Sequence, residues 1–206
     1  AVGGDFFNVL ALSDTKAGVF ICDVMGHGVR AALVTAIVRA LVEELTPLGG
    51  DPGQLLSHLN RDLRAILRQS GTPMFTTAFY LVVDLAENQI CYANAGHPKP
   101  FLIRRSAGMV ESLQNQNGKS NPALGLFPGS VYPTSQCPLH PNDLVMLFTD
   151  GLYDLDGPNA DLFGPEWLLA EIRKRIQLPA GMLFDELLGQ IRNSSNKGEF
   201  VDDVCL

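Results

Sequence analysis

The sequence predicts an α+β domain with antiparallel sheets, and three observations support this class. The first is strand-like apolar character in Phe6–Leu12 and Gly18–Cys22, and again in Phe75–Asp84 and Gln89–Ala93. The second is the short polar turn inside each pair, which is typical of a β-hairpin. The third is that helical patterns lie between hairpins rather than between single strands. Because hairpins join strands in antiparallel order, an antiparallel arrangement is favoured over a parallel sheet.

Two helices are predicted after the first hairpin. In Ala31–Leu45 the apolar residues recur at helical spacing. Leu33, Ile37, Leu41 and Leu45 form one stripe, with Val34 and Val38 beside it. The next helix is expected to start at Asp51 and Pro52, because aspartate is a preferred N-cap and proline is favoured at the first helical position. Two later helices are expected near Pro165–Ile176 and Ala180–Asn193.

The remaining segments predict short strands and one long irregular region. Pro100–Arg104 and Leu144–Thr149 have the apolar character of strands, and a last strand is expected to open at Val201. Ser106–Pro141 is rich in Gly, Pro, Asn and Ser, which predicts irregular loops with short strands. We expect these loops to be mobile and to lie on the surface, where loops on a rigid scaffold often carry recognition.

Composition and charge limit the function classes. The chain has 206 residues, of which 46% are hydrophobic, enough for one domain with a substantial core. We therefore expect residues 1–206 to form a single domain that is a fragment of a larger regulatory protein. The net charge is −7 and Lys and Arg form no basic stripe, which argues against a nucleic-acid partner.

The sequence pattern contains no membrane-spanning segment and no CxxC motif. No apolar run reaches the roughly 18–20 residues that a spanning helix needs, so we expect no direct membrane insertion by this domain. The four cysteines are widely spaced and form no CxxC motif, which is typical of free thiols in a reducing compartment. We expect a cytoplasmic location, and a membrane anchor in the parent protein would be compatible with it.

Three acidic residues share one local context. Asp23 and Asp150 each follow an apolar segment that is predicted to be a strand. Asp202 follows Val201, where the last strand is predicted to open. A single aspartate in such a place is often only a turn residue. Carboxylates that gather at strand ends, however, repel one another unless a cation lies between them. Oxygen ligands without His or Cys favour Mg²⁺ or Mn²⁺ over zinc.

Six motifs carry a family resemblance. In chain order they are GGDFF at Gly3–Phe7, DVMGHG at Asp23–Gly28, NAGHP at Asn94–Pro98, the pair Leu124-Gly125, FTDGL at Phe148–Leu152, and the pair Asp202-Asp203. This ordered set resembles the SpoIIE/RsbU branch of the PPM-type protein phosphatases. The resemblance implies a sandwich of two antiparallel β-sheets flanked by α-helices, with a binuclear metal centre at one end. It also implies hydrolysis of phosphoserine or phosphothreonine by metal-activated water, without a phosphoenzyme.

The resemblance also assigns roles to the site residues. Asp23 would bridge two divalent metal ions, Mn²⁺ or Mg²⁺, and the backbone carbonyl of Val24 would bind one of them. Asp150 and Asp202 would hold the other ion, and Asp5 would act on the second metal through water. The catalytic carboxylates would thus be Asp23, Asp150 and Asp202.

Three positions depart from the wider family or match it weakly. Met25 lies where the wider family often has the histidine proposed as the general acid, and His27 follows two residues later. His97 lies where the wider family can carry an aspartate for a third metal, although histidine is usual in this branch. Asp203 falls where many relatives have Asn or Asp. The general acid and a third metal therefore stay open.

The resemblance suggests partners as well as chemistry. Domains of this branch commonly act on a phosphoprotein such as an anti-sigma-factor antagonist, and they are commonly linked covalently to a sensory or receiver domain. One alternative is a catalytically degenerate phosphatase fold that serves as a partner-binding signalling module. Such a module should have lost metal ligands, whereas Asp23, Asp150 and Asp202 are all present.

Overall fold

The computed structural model describes residues 3–68, 74–116, 118–154, 163–194, 200 and 202–206. The chain divides into two compact units, one drawn from residues 1–97 and 114–139 and the other from residues 98–113 and 140–206. The described strands are β1 (Phe6–Ala11), β2 (Lys16–Val24), β3 (Thr76–Asp84), β4 (Gln89–Ala95), β5 (Phe101–Arg104), β6 (Met109–Ser112), β7 (Ser135–Pro138) and β8 (Leu144–Met146). The described helices are α1 (Val29–Glu44), α2 (Pro52–Leu67), α3 (Pro165–Lys174) and α4 (Ala180–Ser194).

The first unit is built on one sheet with the strand order β1-β2-β3-β4-β7. Every neighbouring pair in it is antiparallel, which confirms the two predicted hairpins. The register of β2 and β3 places Asp23 opposite Thr77. One face of the sheet is covered by an apolar core to which β2, β3, α1 and α2 contribute residues such as Phe20, Val38, Leu59 and Tyr80.

Helix α2 begins as the sequence predicts. Asp51 is its N-cap and accepts hydrogen bonds from the backbone N–H groups of Gly53 at 3.0 Å and Gln54 at 3.3 Å. Pro52 occupies the first helical position, where the missing N–H costs nothing. The hydroxyl of Thr134 also donates to Asp51 at 2.6 Å, so the cap also holds the chain just before β7.

Helix α1 forms as predicted, and its two apolar stripes are buried to different degrees. Its buried residues are Ala31, Val34, Val38 and Val42, whereas Leu33 is 61% exposed. Ile37 and Leu41 of the Leu33 stripe are partly buried against the same core. Apolar residues lie on both stripes, so their spacing alone does not select the more buried one.

The second unit has a smaller sheet with the order β6-β5-β8, again antiparallel. Helices α3 and α4 pack in its core, where Phe101, Phe148, Leu168 and Leu187 are buried. Two antiparallel sheets with helices confirm the predicted α+β class. Among the described residues, we find no helix whose length and hydropathy suit a membrane span.

The strands near Asp150 and Asp202 are shorter than predicted. The segment Leu144–Thr149 is a strand only as far as Met146. Val201 lies outside the described residues, and residues 202–206 form no strand. In place of a ladder, the Thr149 N–H donates to the Cys205 carbonyl at 3.1 Å, and the Cys205 N–H donates to the Thr149 hydroxyl at 2.9 Å. Here the hydroxyl oxygen of Thr149 takes the place of a backbone carbonyl as acceptor, so the regular pairing of a β-ladder does not continue.

The described part of Ser106–Pro141 is irregular with short strands, as predicted, but it is tied to the first sheet. The Tyr92 hydroxyl donates to the Gln114 carbonyl at 2.7 Å. The Asn121 side chain donates to the Asn94 carbonyl at 3.0 Å. Both hydrogen bonds join this segment to β4, and its mobility stays a prediction.

Candidate metal centre

Asp23 and Val24 form the end of β2, beside the first residues of the chain. The Val24 N–H donates to the Gly4 carbonyl at 3.3 Å. A Cβ added at Gly4 would lie 2.6 Å from the Val24 carbonyl oxygen and 3.2 Å from Asp23 Oδ1. Only glycine allows this approach without a shift. The structure therefore brings the segment that carries Asp5 next to Asp23 and Val24, as the predicted site requires.

Helix α1 adds a second support for this segment. The Thr35 hydroxyl shares its one proton between the Gly4 carbonyl at 3.1 Å and the Ala31 carbonyl at 3.0 Å. The Gly4 carbonyl thus accepts from both Thr35 and Val24. Such support from outside the ligand set orients ligands and is often needed for full metal affinity. Thr35 has no motif of its own, so the sequence offers no signal for this role.

In the second unit, Asp150 and Asp202 lie on segments that touch. Asp150 opens a short 3₁₀ turn, Asp150–Leu152. A Cβ added at Gly151 would lie 2.1 Å from the Asp203 carbonyl oxygen and 3.4 Å from the Asp202 Cβ. Glycine is therefore required at 151 for the C-terminal segment to pass this close, and the structure brings the predicted ligands Asp150 and Asp202 together.

The electrostatics of Asp150 reflect this neighbourhood. The pKa of its carboxyl lies above the ordinary value, first because surrounding protein partly removes it from water and then because the Asp202 and Asp154 carboxylates repel its charge. Backbone N–H groups oppose the shift without cancelling it. Carboxylates held near one another in this way are stabilised when a cation binds between them.

The donors in both units fit Mg²⁺ or Mn²⁺. They are carboxylate oxygens and, at Val24, a backbone carbonyl, and hard divalent cations prefer oxygen ligands. The lack of a side chain at Gly4 and Gly151 lets the chain segments that carry these donors approach each other closely. Within either unit, the described residues contain no group of three or more His, Cys, Asp or Glu side chains that could hold a metal ion alone. The binuclear centre with ligands from both units stays a prediction.

The two motif histidines have different surroundings. His97 is only 5% exposed, its Nδ1 lies 2.9 Å from the Thr77 hydroxyl, and its backbone N–H and carbonyl are both bonded to the Asn94 side chain. This fits a histidine that holds the end of a hairpin. His27 and Met25 are exposed in the glycine turn between β2 and α1.

Three residues near the predicted ligands were not found from the sequence. Thr149 binds the C-terminal segment, Thr77 binds His97, and Thr35 binds Gly4. Each of these bonds joins residues at least 20 positions apart. The glycines beside the ligands did carry a signal, because Gly4 and Gly151 each adjoin a motif aspartate.

Comparison with known proteins agrees with the motifs. The family model described as Stage II sporulation protein E (SpoIIE) matches residues 13–206. Phosphoserine phosphatase RsbP of Bacillus subtilis (strain 168) is 26% identical over 205 residues, which are 99% of this chain and 48% of RsbP. Phosphoserine phosphatase RsbU of the same organism is 26% identical over 165 residues, which are 80% of this chain and 47% of RsbU. The chain thus spans about half the length of these two relatives.

Solved structures agree on the fold. The SiaA-PP2C domain of Pseudomonas aeruginosa has a TM-score of 0.83 and 23% identity, and the match covers 98% of this chain and 78% of that domain. At this identity the likeness shows the fold alone, which is the predicted PPM-type arrangement of antiparallel sheets and helices. Because the family model matches residues 13–206, which include every motif named above except GGDFF at Gly3–Phe7, the chain belongs to the SpoIIE family.

Proposed function

We propose that this chain is a metal-dependent protein phosphatase that hydrolyses phosphoserine or phosphothreonine on a regulatory protein. The observation that carries the proposal is the retention of aspartates at Asp23, Asp150 and Asp202 in a SpoIIE-family chain. Asp23 lies at the end of β2, and Gly151, which follows Asp150, lets the Asp202 segment pass close by. Relatives named phosphoserine phosphatases, RsbP and RsbU, support the same reaction.

The ligands that we assign are the five predicted ones. Asp23 would bridge two divalent ions, Mn²⁺ or Mg²⁺, with the Val24 carbonyl on one of them. Asp150 and Asp202 would hold the other ion, and Asp5 would act on the second metal through water. When bound, such ions activate water for attack on phosphorus and neutralise the phosphoryl charge.

The protein's own part is to hold these oxygens in place. Thr35 and the Val24 N–H fix the Gly4 carbonyl, and therefore the segment that leads to Asp5. Thr149 fixes the segment that carries Asp202. The leaving serine or threonine oxygen needs a proton, which the thioether of Met25 cannot supply. We assign no side chain to this step, and His27 is the exposed imidazole nearest to Asp23 in the sequence.

The substrate that we propose is a phosphoprotein, such as an anti-sigma-factor antagonist. The chain covers 54% of a solved chain described as the RsbU and RsbW domains of Rv1364c from Mycobacterium tuberculosis, with 25% identity and a TM-score of 0.79. Proteins of this family thus occur joined to other domains, which supports a covalently linked sensory or receiver domain here. We place the reaction in the cytoplasm.

Metal removal tests the proposal. After exhaustive chelation the chain should hydrolyse p-nitrophenyl phosphate negligibly, and added Mn²⁺ or Mg²⁺ should restore turnover. The Asp14→Asn variant, in the exposed turn between β1 and β2, is the matched carboxylate control and should respond like the unchanged chain. Full turnover without metal would contradict the mechanism. No turnover with any divalent metal, despite calorimetric metal binding, would favour the degenerate partner-binding module.

A further inference from the structure

We infer that Thr77 is a positioning residue for Asp23, and that His97 holds it in place. This inference rests on the proposed function, because it concerns the carboxylate assigned to both metals. Thr77 lies directly opposite Asp23 in the β2–β3 register. Residues opposite one another in an antiparallel pair point to the same face of the sheet, with Cβ atoms about 5 Å apart. The Thr77 hydroxyl therefore shares a face and a neighbourhood with the Asp23 carboxylate.

The hydroxyl of Thr77 is oriented by a buried imidazole. His97 Nδ1 lies 2.9 Å from Thr77 Oγ1, and His97 is only 5% exposed. A hydroxyl can donate one hydrogen bond and can also accept. The bond to His97 therefore determines the direction in which the Thr77 hydroxyl can form its other hydrogen bond. Without the imidazole, the threonine rotamer next to Asp23 would lose this constraint.

The imidazole is held from behind by a small polar network. The Asn94 side chain accepts from the His97 N–H at 2.8 Å and donates to the His97 carbonyl at 2.9 Å. Asn121 in turn donates to the Asn94 carbonyl at 3.0 Å. Between them Gly96 has a φ of +72°, and a Cβ there would lie 3.1 Å from the Ala123 nitrogen. Any larger residue at position 96 would strain this close approach, which is a physical reason for the glycine of the NAGHP motif.

The network thus runs from Asn121 through Asn94 and His97 to Thr77, beside Asp23. All of these residues belong to the first unit. Removing a residue that orients a metal ligand without binding the metal typically costs 10–100-fold in metal affinity or activity. We expect an effect of this size when the Thr77 hydroxyl is removed.

Thr76 provides a matched control on the same strand. It is the adjacent residue, so its side chain points to the opposite face of the sheet. It is fully buried, and its hydroxyl has no hydrogen-bond partner among the described residues. Thr76→Val removes the same atom as Thr77→Val, and loss of an unsatisfied buried hydroxyl should not lower stability.

The test measures Mn²⁺ affinity by calorimetry and the melting temperature of the metal-free protein. Thr77→Val should weaken Mn²⁺ binding about tenfold or more, whereas Thr77→Ser, which keeps the hydroxyl, and Thr76→Val should bind within about twofold of the unchanged chain. Thr77→Ala repeats the measurement if valine prevents folding, and it should show the same loss.

The outcomes separate this inference from the proposed function. If the unchanged chain binds Mn²⁺ and both Thr77→Val and Thr77→Ala bind it equally well, the positioning role is overturned and the metal centre stands. If Thr77→Ser loses as much affinity as Thr77→Val, the hydroxyl is not the cause and the inference fails. If the unchanged chain binds no divalent metal, both proposals fall together.

Discussion

The two units hold their proposed metal ligands by different means. In the first unit, Asp23 lies in a nine-residue strand that is paired on both sides, with β1 and β3. In the second unit, Asp150 starts a 3₁₀ turn, and Asp202 lies on a segment without regular structure. The hydrogen bonds that the structure shows to that segment involve Thr149 and Cys205. Among the described residues, the first half therefore lies in a cooperative sheet, and the second lies on segments that join no β-ladder.

This difference predicts which changes would disturb the proposed ligands of each unit. A ladder of backbone bonds is shared among many residues, so loss of one side-chain contact leaves the backbone at Asp23 nearly unchanged and can alter only the orientation of its carboxylate. A segment outside a ladder shares its position among fewer backbone bonds, so a change in its backbone surroundings displaces it more easily. We therefore expect the Asp23 half to be sensitive to the identity of the ligand, and the Asp150–Asp202 half to be sensitive also to the backbone around the ligands.

The largest effect should come from replacing a ligand of the first unit. Asp23→Asn should lower kcat/KM by on the order of 1000-fold, or about 4 kcal/mol, because the bridging carboxylate organises both ions. Asp5→Asn, assigned to a water-mediated contact, should lose about 10–100-fold. Steady-state rates on p-nitrophenyl phosphate at saturating Mn²⁺ measure both. An inert Asp5→Asn beside a fully active Asp23→Asn would show that the roles are wrongly assigned.

The next largest effect should come from changing the backbone beside the ligands, and it should differ between the two units. Gly151→Ala should weaken Mn²⁺ binding by about 10–100-fold, since its Cβ would meet the Asp203 carbonyl at 2.1 Å and displace the Asp202 segment. Gly4→Ala, where the contact with Val24 is 2.6 Å, should lose less, since the strand bearing Asp23 stays fixed and the Asp5 segment moves instead. Calorimetric titration with Mn²⁺ compares them.

The control for these glycine variants is Gly189→Ala in α4. A Cβ there has open space, and alanine is the better helix former by about 1 kcal/mol. Metal affinity should be unchanged and the melting temperature should rise. A larger loss at Gly4 than at Gly151 would reverse the comparison between the units.

The smallest effect concerns how each unit packs its helices. In the first unit, α1 and α2 meet through apolar residues. In the second, α3 and α4 also pack through apolar residues, but in addition Glu171 of α3 is buried and bonded to Lys174 and Arg175, the latter at 2.7 Å. Burial alone would raise the pKa of Glu171, but the hydrogen bonds from Lys174, Arg175 and Gln190 lower it below its ordinary value.

Because the pKa of Glu171 is lower in the folded chain, its ionised form stabilises the fold above the ordinary pKa of 4.5. That contribution is lost as the pH falls through the folded-state pKa. Glu171→Gln should therefore cost about 1–2 kcal/mol at pH 7, and the difference should shrink as the pH falls below that ordinary value. Urea unfolding at several pH values measures this. The exposed Glu166→Gln in α3 should change stability by less than about 0.5 kcal/mol, and a pH-independent Glu171 effect would exclude the ionic cause.

Much of the first unit could be predicted from the sequence. The two hairpins and the Asp51 N-cap follow from residue spacing and from the chemistry of single residues, which act locally. The more buried stripe of α1 could not be predicted, because Leu33 and Val34 are both apolar and only the packing partner selects between them. In the second unit, the strand expected up to Thr149 ends at Met146, and at Thr149 the side-chain hydroxyl accepts the Cys205 N–H in place of a backbone carbonyl.

The sequence by itself determined the order of motifs, the family and the chemical type of the proposed ligands, since aspartate oxygens at recurring positions carry that information without any fold. Only the tertiary structure decided which residues support those ligands. Thr77 lies 20 positions from His97 and Thr149 lies 56 positions from Cys205, yet each pair forms a hydrogen bond. The reason is physical: such contacts depend on strand register and chain path, which bring together residues that no local pattern relates.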